Sequence, residues 1–210
     1  MRFASLGSGS KGNATLVEAG RTRLLVDCGF SCLETEKRLA GLSVQPGDLA
    51  AILVTHEHSD HISGVARLSR RYHIPVWMTA GTEAAHKGGK LAQWHCFNAH
   101  QCFEIGDMEI RPFPVPHDAR EPCQFVFSDG VRCLGLLTDT GSLTPHLLTT
   151  LNQLDALILE CNHDADLLAR GSYPPQLKQR IGGPYGHLSN EQAADLLTKI
   201  NTDRLFVTAG

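Results

Sequence analysis

The 210-residue chain has no apolar run long enough to cross a bilayer. Its start, Met1-Arg2-Phe3-Ala4-Ser5-Leu6-Gly7, carries no apolar stretch of signal-peptide length. Basic charge is not in excess: 19 Lys and Arg stand against 22 Asp and Glu, a formal net charge of −3. No global positive field therefore advertises nucleic acid. The best local basic candidates, Arg67, Arg70 and Arg71, read as the solvated face of a helix. There is no Cys-x-x-Cys, and the seven cysteines are scattered and odd in number. That argues against a disulfide framework or a zinc knuckle and predicts a reducing, cytoplasmic setting with no membrane partner. Internal repeats, low-complexity tracts and linkers are also missing, so residues 1–210 are expected to form one domain. What remains, 42% hydrophobic and 20% charged residues, is ordinary for a globular protein.

The apolar pattern predicts strands at Phe3–Leu6, Ala14–Ala19, Arg23–Asp27, Ala51–Val54, Pro75–Met78, Asp155–Glu160 and Arg204–Ala209. Glu104 to Pro114 alternates like one arm of a hairpin. Phe125–Phe127 and Val131–Leu137 flank an Asp129-Gly130 turn and predict a hairpin. Helical spacing covers Leu33–Leu42 and Val65–Tyr72. Thr144-Pro145 reads as the N-cap and first residue of a helix running to Leu154. Ser189-Asn190-Glu191-Gln192 resembles a capping box ahead of Ala193–Ile200. This β-rich order without regular βαβ alternation predicts an α+β architecture: two mixed sheets packed face to face, with helices outside.

The segment Val54-Thr55-His56-Glu57-His58-Ser59-Asp60-His61 places three histidines and an aspartate within six residues, directly after a buried strand. Packing alone gives no reason to crowd four polar groups at a strand end. Imidazole and carboxylate are ligands for Zn, Mn or Fe. His56 and His58 project the same way from an extended segment and can share one ion. Asp60 and His61, past the bend, can serve a second. Two later strand ends offer further ligands: His117 in Pro114-Val115-Pro116-His117-Asp118, and Asp139 in Thr138-Asp139-Thr140-Gly141. His187 precedes the Ser189 cap, where helix N–H groups can meet an anion. Asn162 and His163 follow the 155–160 strand and are candidates to line the site. His73, His86, His95, His100 and His146 show no partner pattern and read as surface or capping residues.

His56-x-His58-x-Asp60-His61, then His117, then Asp139 resembles the metallo-β-lactamase superfamily signature over most of the chain. Ser8-Gly9-Ser10-x-Gly12-Asn13, Asp27-Cys28-Gly29, Asn162-His163-Asp164 and Gly186-His187-Leu188-Ser189-Asn190 narrow the resemblance to the YycJ/WalJ-like branch. The resemblance implies a four-layer αββα sandwich and two divalent ions, Zn or Mn. His56, His58 and His117 would hold the first, Asp60 and His61 the second, with Asp139 bridging. It implies metal-dependent hydrolysis of a phosphodiester in nucleic acid, specifically 5′-to-3′ exonuclease action on DNA, with a role in DNA repair. Asp60 would orient the nucleophile and His187 would act as general acid, with Ser189, Asn162 and His163 meeting substrate. The stretch between Asp139 and His187 is too short for the extra domain that RNA-cleaving relatives insert there. In the resembled branch a closing histidine follows a strand like Leu205–Ala209. The chain stops at Gly210, so the resemblance implies a domain lacking its C-terminal end, or a weakly held second metal with His187 or water standing in. Two rival readings stand beside this one: a hydrolase of thioesters, lactones or β-lactams on the same kind of site, and a non-catalytic metal-binding protein.

Overall fold

The first six strands form one sheet, in the spatial order of the chain: β1 (Arg2–Gly7), β2 (Ala14–Ala19), β3 (Thr22–Val26), β4 (Ala51–Leu53), β5 (Pro75–Met78) and β6 (Gln93–Cys96). The second sheet holds β7 (Phe103–Ile105), β8 (Met108–Pro114), β9 (Cys123–Ser128), β10 (Cys133–Leu137), β11 (Ala156–Leu159) and β12 (Phe206–Ala209). In this computed structural model residues 1–200 are described in full and residues 206–209 by their backbone. Arg204 and Leu205 of the expected last strand lie outside the described residues. Each sheet is antiparallel at one side and parallel at the other: β3 through β6 run parallel, as do β10 through β12.

The helices are α1 (Cys32–Gly41), α2 (Ser59–Ile62), α3 (Val65–Tyr72), α4 (Ala80–Ala85), α5 (Pro145–Thr150), α6 (Ala165–Arg170), α7 (Pro175–Ile181) and α8 (Asn190–Lys199). Strand alternation explains why four of them cover the sheets. Leu24, Val26 and Leu53 point inward and meet Phe125, Phe127, Leu134, Leu136 and Ile158 of the other sheet. Leu25 and Ile52, one residue away, point outward and are covered by Leu39 of α1 and Val65 and Leu68 of α3. On the opposite side Leu137, Leu157 and Leu159 are covered by Leu147 of α5 and Leu196 of α8. Strands buried on both faces read as continuous apolar runs, and each buried Leu or Phe contributes about 1.5–3 kcal/mol. The layers are helix, sheet, sheet, helix, as expected.

Several boundaries move for local reasons. β3 stops at Val26 because Asp27 takes a left-handed φ of 60°. The expected single arm from Glu104 to Pro114 is itself a hairpin. Gly106, at φ 56°, turns the chain, and the Asp107 carboxylate accepts from the Arg21 amide at 2.7 Å. The helix opened by Thr144 ends at Thr150, short of Leu154. β6, α4, α6 and α7 had no expectation.

Loops leaving the carboxyl ends of β3, β4, β10 and β11 gather at one edge, the usual position for a ligand site on parallel strands. There the segment after β3 is lashed to the histidine loop. Cys28 N donates to His61 O at 2.8 Å, Gly64 N to Cys28 O at 2.7 Å, and Asn13 N to Asp60 O at 2.7 Å. This leaves no space at Gly29. A Cβ there would lie 1.7 Å from the Asp60 carbonyl oxygen and 2.9 Å from the Asn13 amide nitrogen. Gly29→Ala is therefore expected to cost about 1–3 kcal/mol through forced backbone displacement. Gly41→Ala, where nothing lies within 4 Å, should change stability by less than about 1 kcal/mol. Denaturant unfolding of the two variants checks both values.

Candidate metal centre

His56 follows β4, and its Nδ1 donates to the Thr55 hydroxyl at 2.9 Å. Thr55 in turn donates to Asp27 Oδ2 at 2.8 Å. His61, on α2, donates from Nδ1 to the same Asp27 oxygen at 2.8 Å. His117, beyond β8, donates from Nδ1 to the Gly186 carbonyl at 3.0 Å, and His58 donates from Nε2 to the Asp118 carbonyl at 3.2 Å. Each imidazole thus has one nitrogen pinned by an acceptor that fixes its tautomer. The other nitrogens turn inward. His56 Nε2 and His58 Nδ1 are 3.0 Å apart, and His117 Nε2 and His58 Nδ1 are 3.2 Å apart.

Three inward nitrogens whose protons are used elsewhere face one another with lone pairs, an arrangement that repels itself unless a cation lies between. His56, His58 and His117 form one group able to hold an ion, and His56, His61 and Asp139 form a second beside it. The residues present fit a pair of divalent ions: neutral imidazoles and a carboxylate are what such ions take.

The charges agree. Burial drives the His56 pKa well below its ordinary value, helped by the neighbouring His61, which keeps its lone pair free. Burial also lowers that of His117. Burial opposes charge on His61 too, yet the Asp139 and Asp27 carboxylates raise its pKa well above normal. Asp139, against a burial that raises it, is held well below the carboxylate range chiefly by His61. A buried place that draws in a proton this strongly is a place that favours a cation.

Asp60 stands at the margin of this cluster. Its Oδ2 accepts from Asn13 Nδ2 at 3.2 Å and lies 3.6 Å from His61 Nε2. His187 donates from Nδ1 to Glu160 Oε1 at 2.6 Å, with Asp139 Oδ1 at 3.2 Å. Burial alone would lower its pKa; the hydrogen bonds to Asp139 and Glu160 overcome this and raise it to about 10. Burial pushes the Glu160 carboxyl up to about 7 although His187 pulls it down. A cleft of about 660 Å³ opens at the cluster, lined among others by His58, Asp60, Asp139, Asn162, His163 and His187. Ser189, expected to meet substrate, is instead the N-cap of α8. Its hydroxyl accepts from the Gln192 amide at 3.2 Å, its own amide donates to Gln192 Oε1 at 2.9 Å, and the residue is buried.

Sequence reasoning missed Glu160, and it gave Asn13 and Asp27 no side-chain role. Glu160 closes the apolar run of β11 as Asp139 closes that of β10, so the same strand-end signal pointed to it. Arg71 lies on an exposed helix face as expected, paired there with Glu36 at 3.0 Å. His73 caps α3. All seven cysteines are free.

Residues 22–208 match the family described as the beta-lactamase superfamily domain. The chain is 38% identical over 204 residues to exodeoxyribonuclease WalJ of Streptococcus pneumoniae, covering 94% of this chain and 76% of that protein. It is 38% identical over 207 residues to exodeoxyribonuclease YycJ of Bacillus anthracis, covering 97% and 78%. Among solved structures, the metallo-beta-lactamase fold protein YhfI of Bacillus subtilis superposes with a TM-score of 0.72 at 21% identity, over 94% of this chain and 78% of that one. The short form of human tRNase Z superposes at 0.70 and 18% identity, over 98% and 91%. At these identities the two structures share the fold. With the strand-end histidines, Asp139 and the four layers in place, the chain belongs to the metallo-β-lactamase superfamily as a YycJ-like protein.

Proposed function

We propose that the chain is a dinuclear metal-dependent phosphodiesterase acting on nucleic acid, specifically a 5′-to-3′ DNA exonuclease working in the cytoplasm in DNA repair. The observation that carries the reading is the pair of adjoining donor groups, the inward nitrogens of His56, His58 and His117 and, sharing His56, the group of His56, His61 and Asp139. The likeness to WalJ and YycJ, named exodeoxyribonucleases, directs that chemistry to DNA. His56, His58 and His117 would hold the first ion, Asp60 and His61 the second, with Asp139 between them; Zn and Mn both suit these donors. When bound, the ions supply Lewis-acid polarisation of the phosphoryl group and stabilise the charge developing on it.

The chain's own residues do the rest. Asp60, held by Asn13 at the cleft margin, orients the attacking water. His187 has Nδ1 engaged by Glu160 and Asp139, which leaves Nε2 to give a proton to the leaving oxygen. Glu160 fixes the ring and sustains its charge. Asn162 and His163 contact the nucleotide along the cleft wall. The 1–210 segment acts as one domain.

His58→Ala and His117→Ala are each expected to lower metal content by one equivalent and DNA hydrolysis by roughly a hundredfold or more; metal analysis and a labelled-DNA degradation assay read the two effects. Glu160→Gln should lower kcat by about 10–100-fold while metal content stays at the wild-type value, since it releases His187 rather than an ion. Chelation should abolish activity, and metal restored to 100 times its Kd should add about 2.7 kcal/mol of stability in an unfolding titration. A substrate panel tests the reaction class: bis-p-nitrophenyl phosphate is cleaved, nitrocefin and a glutathione thioester are not. Thioester cleavage with the phosphodiester untouched would overturn the nuclease reading.

A further inference from the structure

Between Glu160 and His187 the chain leaves the site, forms α6 and α7, and returns. Unlike α1, α3, α5 and α8, these two helices bury none of their residues. They form an arm beside the cleft rather than part of a covering layer. The arm is held in place at both feet: Asn190 N donates to His163 O at 2.8 Å, and His187 N donates to Ile181 O at 2.8 Å. Lys178 Nζ donates to Ala169 O at 2.6 Å and ties the two helices together. Arg180 Nε donates to Asp118 Oδ2 at 2.5 Å and ties α7 to the segment that carries His117.

The arm's apolar residues are not lost to a core. Leu168, Tyr173, Leu177 and Ile181 line the same cleft as His58, Asp60 and His187. Tyr173, in the α6–α7 connection, is 55% exposed, and Leu167 and Tyr185 of the same segment are 71% and 62% exposed. Of the arm's cations, Arg170 is paired with Asp166 at 3.2 Å and Arg180, which lines the cleft, with Asp118, while Lys178 meets the neutral Ala169 carbonyl and keeps its charge. An exposed aromatic ring on an apolar surface continuous with a phosphodiester-cleaving centre matches how the bases of single-stranded nucleic acid are held, by stacking on side chains. Duplex bases stack on one another and offer no face to Tyr173.

We propose that the α6–α7 arm binds a single-stranded stretch of polynucleotide, with Tyr173 as the stacking platform for a base next to the scissile phosphate. The inference rests on the nucleic-acid phosphodiesterase reading. It makes the arm the element that selects polynucleotide over small phosphodiesters and a frayed or single strand over a closed duplex.

The test uses the metal-loaded chain and a fluorescein-labelled phosphorothioate oligothymidylate, which resists cleavage during an anisotropy titration. Tyr173→Ala should weaken binding roughly tenfold or more. Tyr173→Phe should bind like the wild type, because it keeps the ring. Hydrolysis of bis-p-nitrophenyl phosphate should be unchanged in both, and a blunt duplex of equal length should bind the wild type more weakly and ignore the substitution. Single-strand affinity unchanged in Tyr173→Ala, or phosphodiester hydrolysis lost along with it, would overturn the arm's role while leaving the nuclease reading intact. A wild-type chain that neither binds nor degrades any polynucleotide would overturn both.

Discussion

Asp27 accepts hydrogen bonds from Thr55 and from His61 at the same oxygen, and the metal centre is built on that pairing. Its left-handed backbone ends β3 and turns the carboxylate under the histidine loop. Through Thr55 it also sets the tautomer of His56. Two imidazoles on different parts of one loop are thereby aimed at a shared point by one buried acid. The carbonyls of Gly186 and Asp118 do the same for His117 and His58. A backbone acceptor is a fixed dipole that cannot rotate away, so the inward lone pairs stay aligned with the protons directed outward.

The two sheets make this convergence possible. Each brings strand ends to the same edge, and the loops leaving them supply the ligands: the first sheet gives Asp27 and the 56–61 segment, the second gives His117 after β8, Asp139 after β10 and Glu160 after β11. The inter-sheet core of Leu24, Leu53, Phe125 and Phe127 sets how far apart these halves stand. Within the first half, Asn13 ties the loop after β1 to the histidine segment, since its side chain contacts Asp60, His61 and the Gly9 amide. The centre is a product of the interface between the sheets, and the arm of α6 and α7 lies at that edge outside the packed layers.

Much of this was legible along the chain. The strand-end crowding at 56–61, the hairpin around Asp129-Gly130 and the Ser189–Gln192 box all depend on neighbours close in sequence, where local sterics and hydrogen bonds decide. Less legible were the elements whose signal is tertiary. β6 is an exposed edge strand with little apolar alternation. The arm has short helices with no buried face and so no 3.6-residue stripe against a core. Ser189 shows the limit from the other side: the capping box was visible, and the cap uses the hydroxyl that the family resemblance had reserved for substrate.

The sequence by itself determined which residue types stand at the strand ends, and with them the metal-binding chemistry, because a continuous apolar run that stops at polar residues marks where a strand buried on both faces leaves the core. Only the tertiary structure decided which nitrogen of each histidine faces inward and that Glu160 grips His187. It alone set Asp60 at the margin rather than the centre and turned the arm's apolar side to the cleft. These depend on groups 20 to 70 residues apart meeting within 3 Å or so, and such contacts are set by how two sheets pack, not by any local preference of the chain.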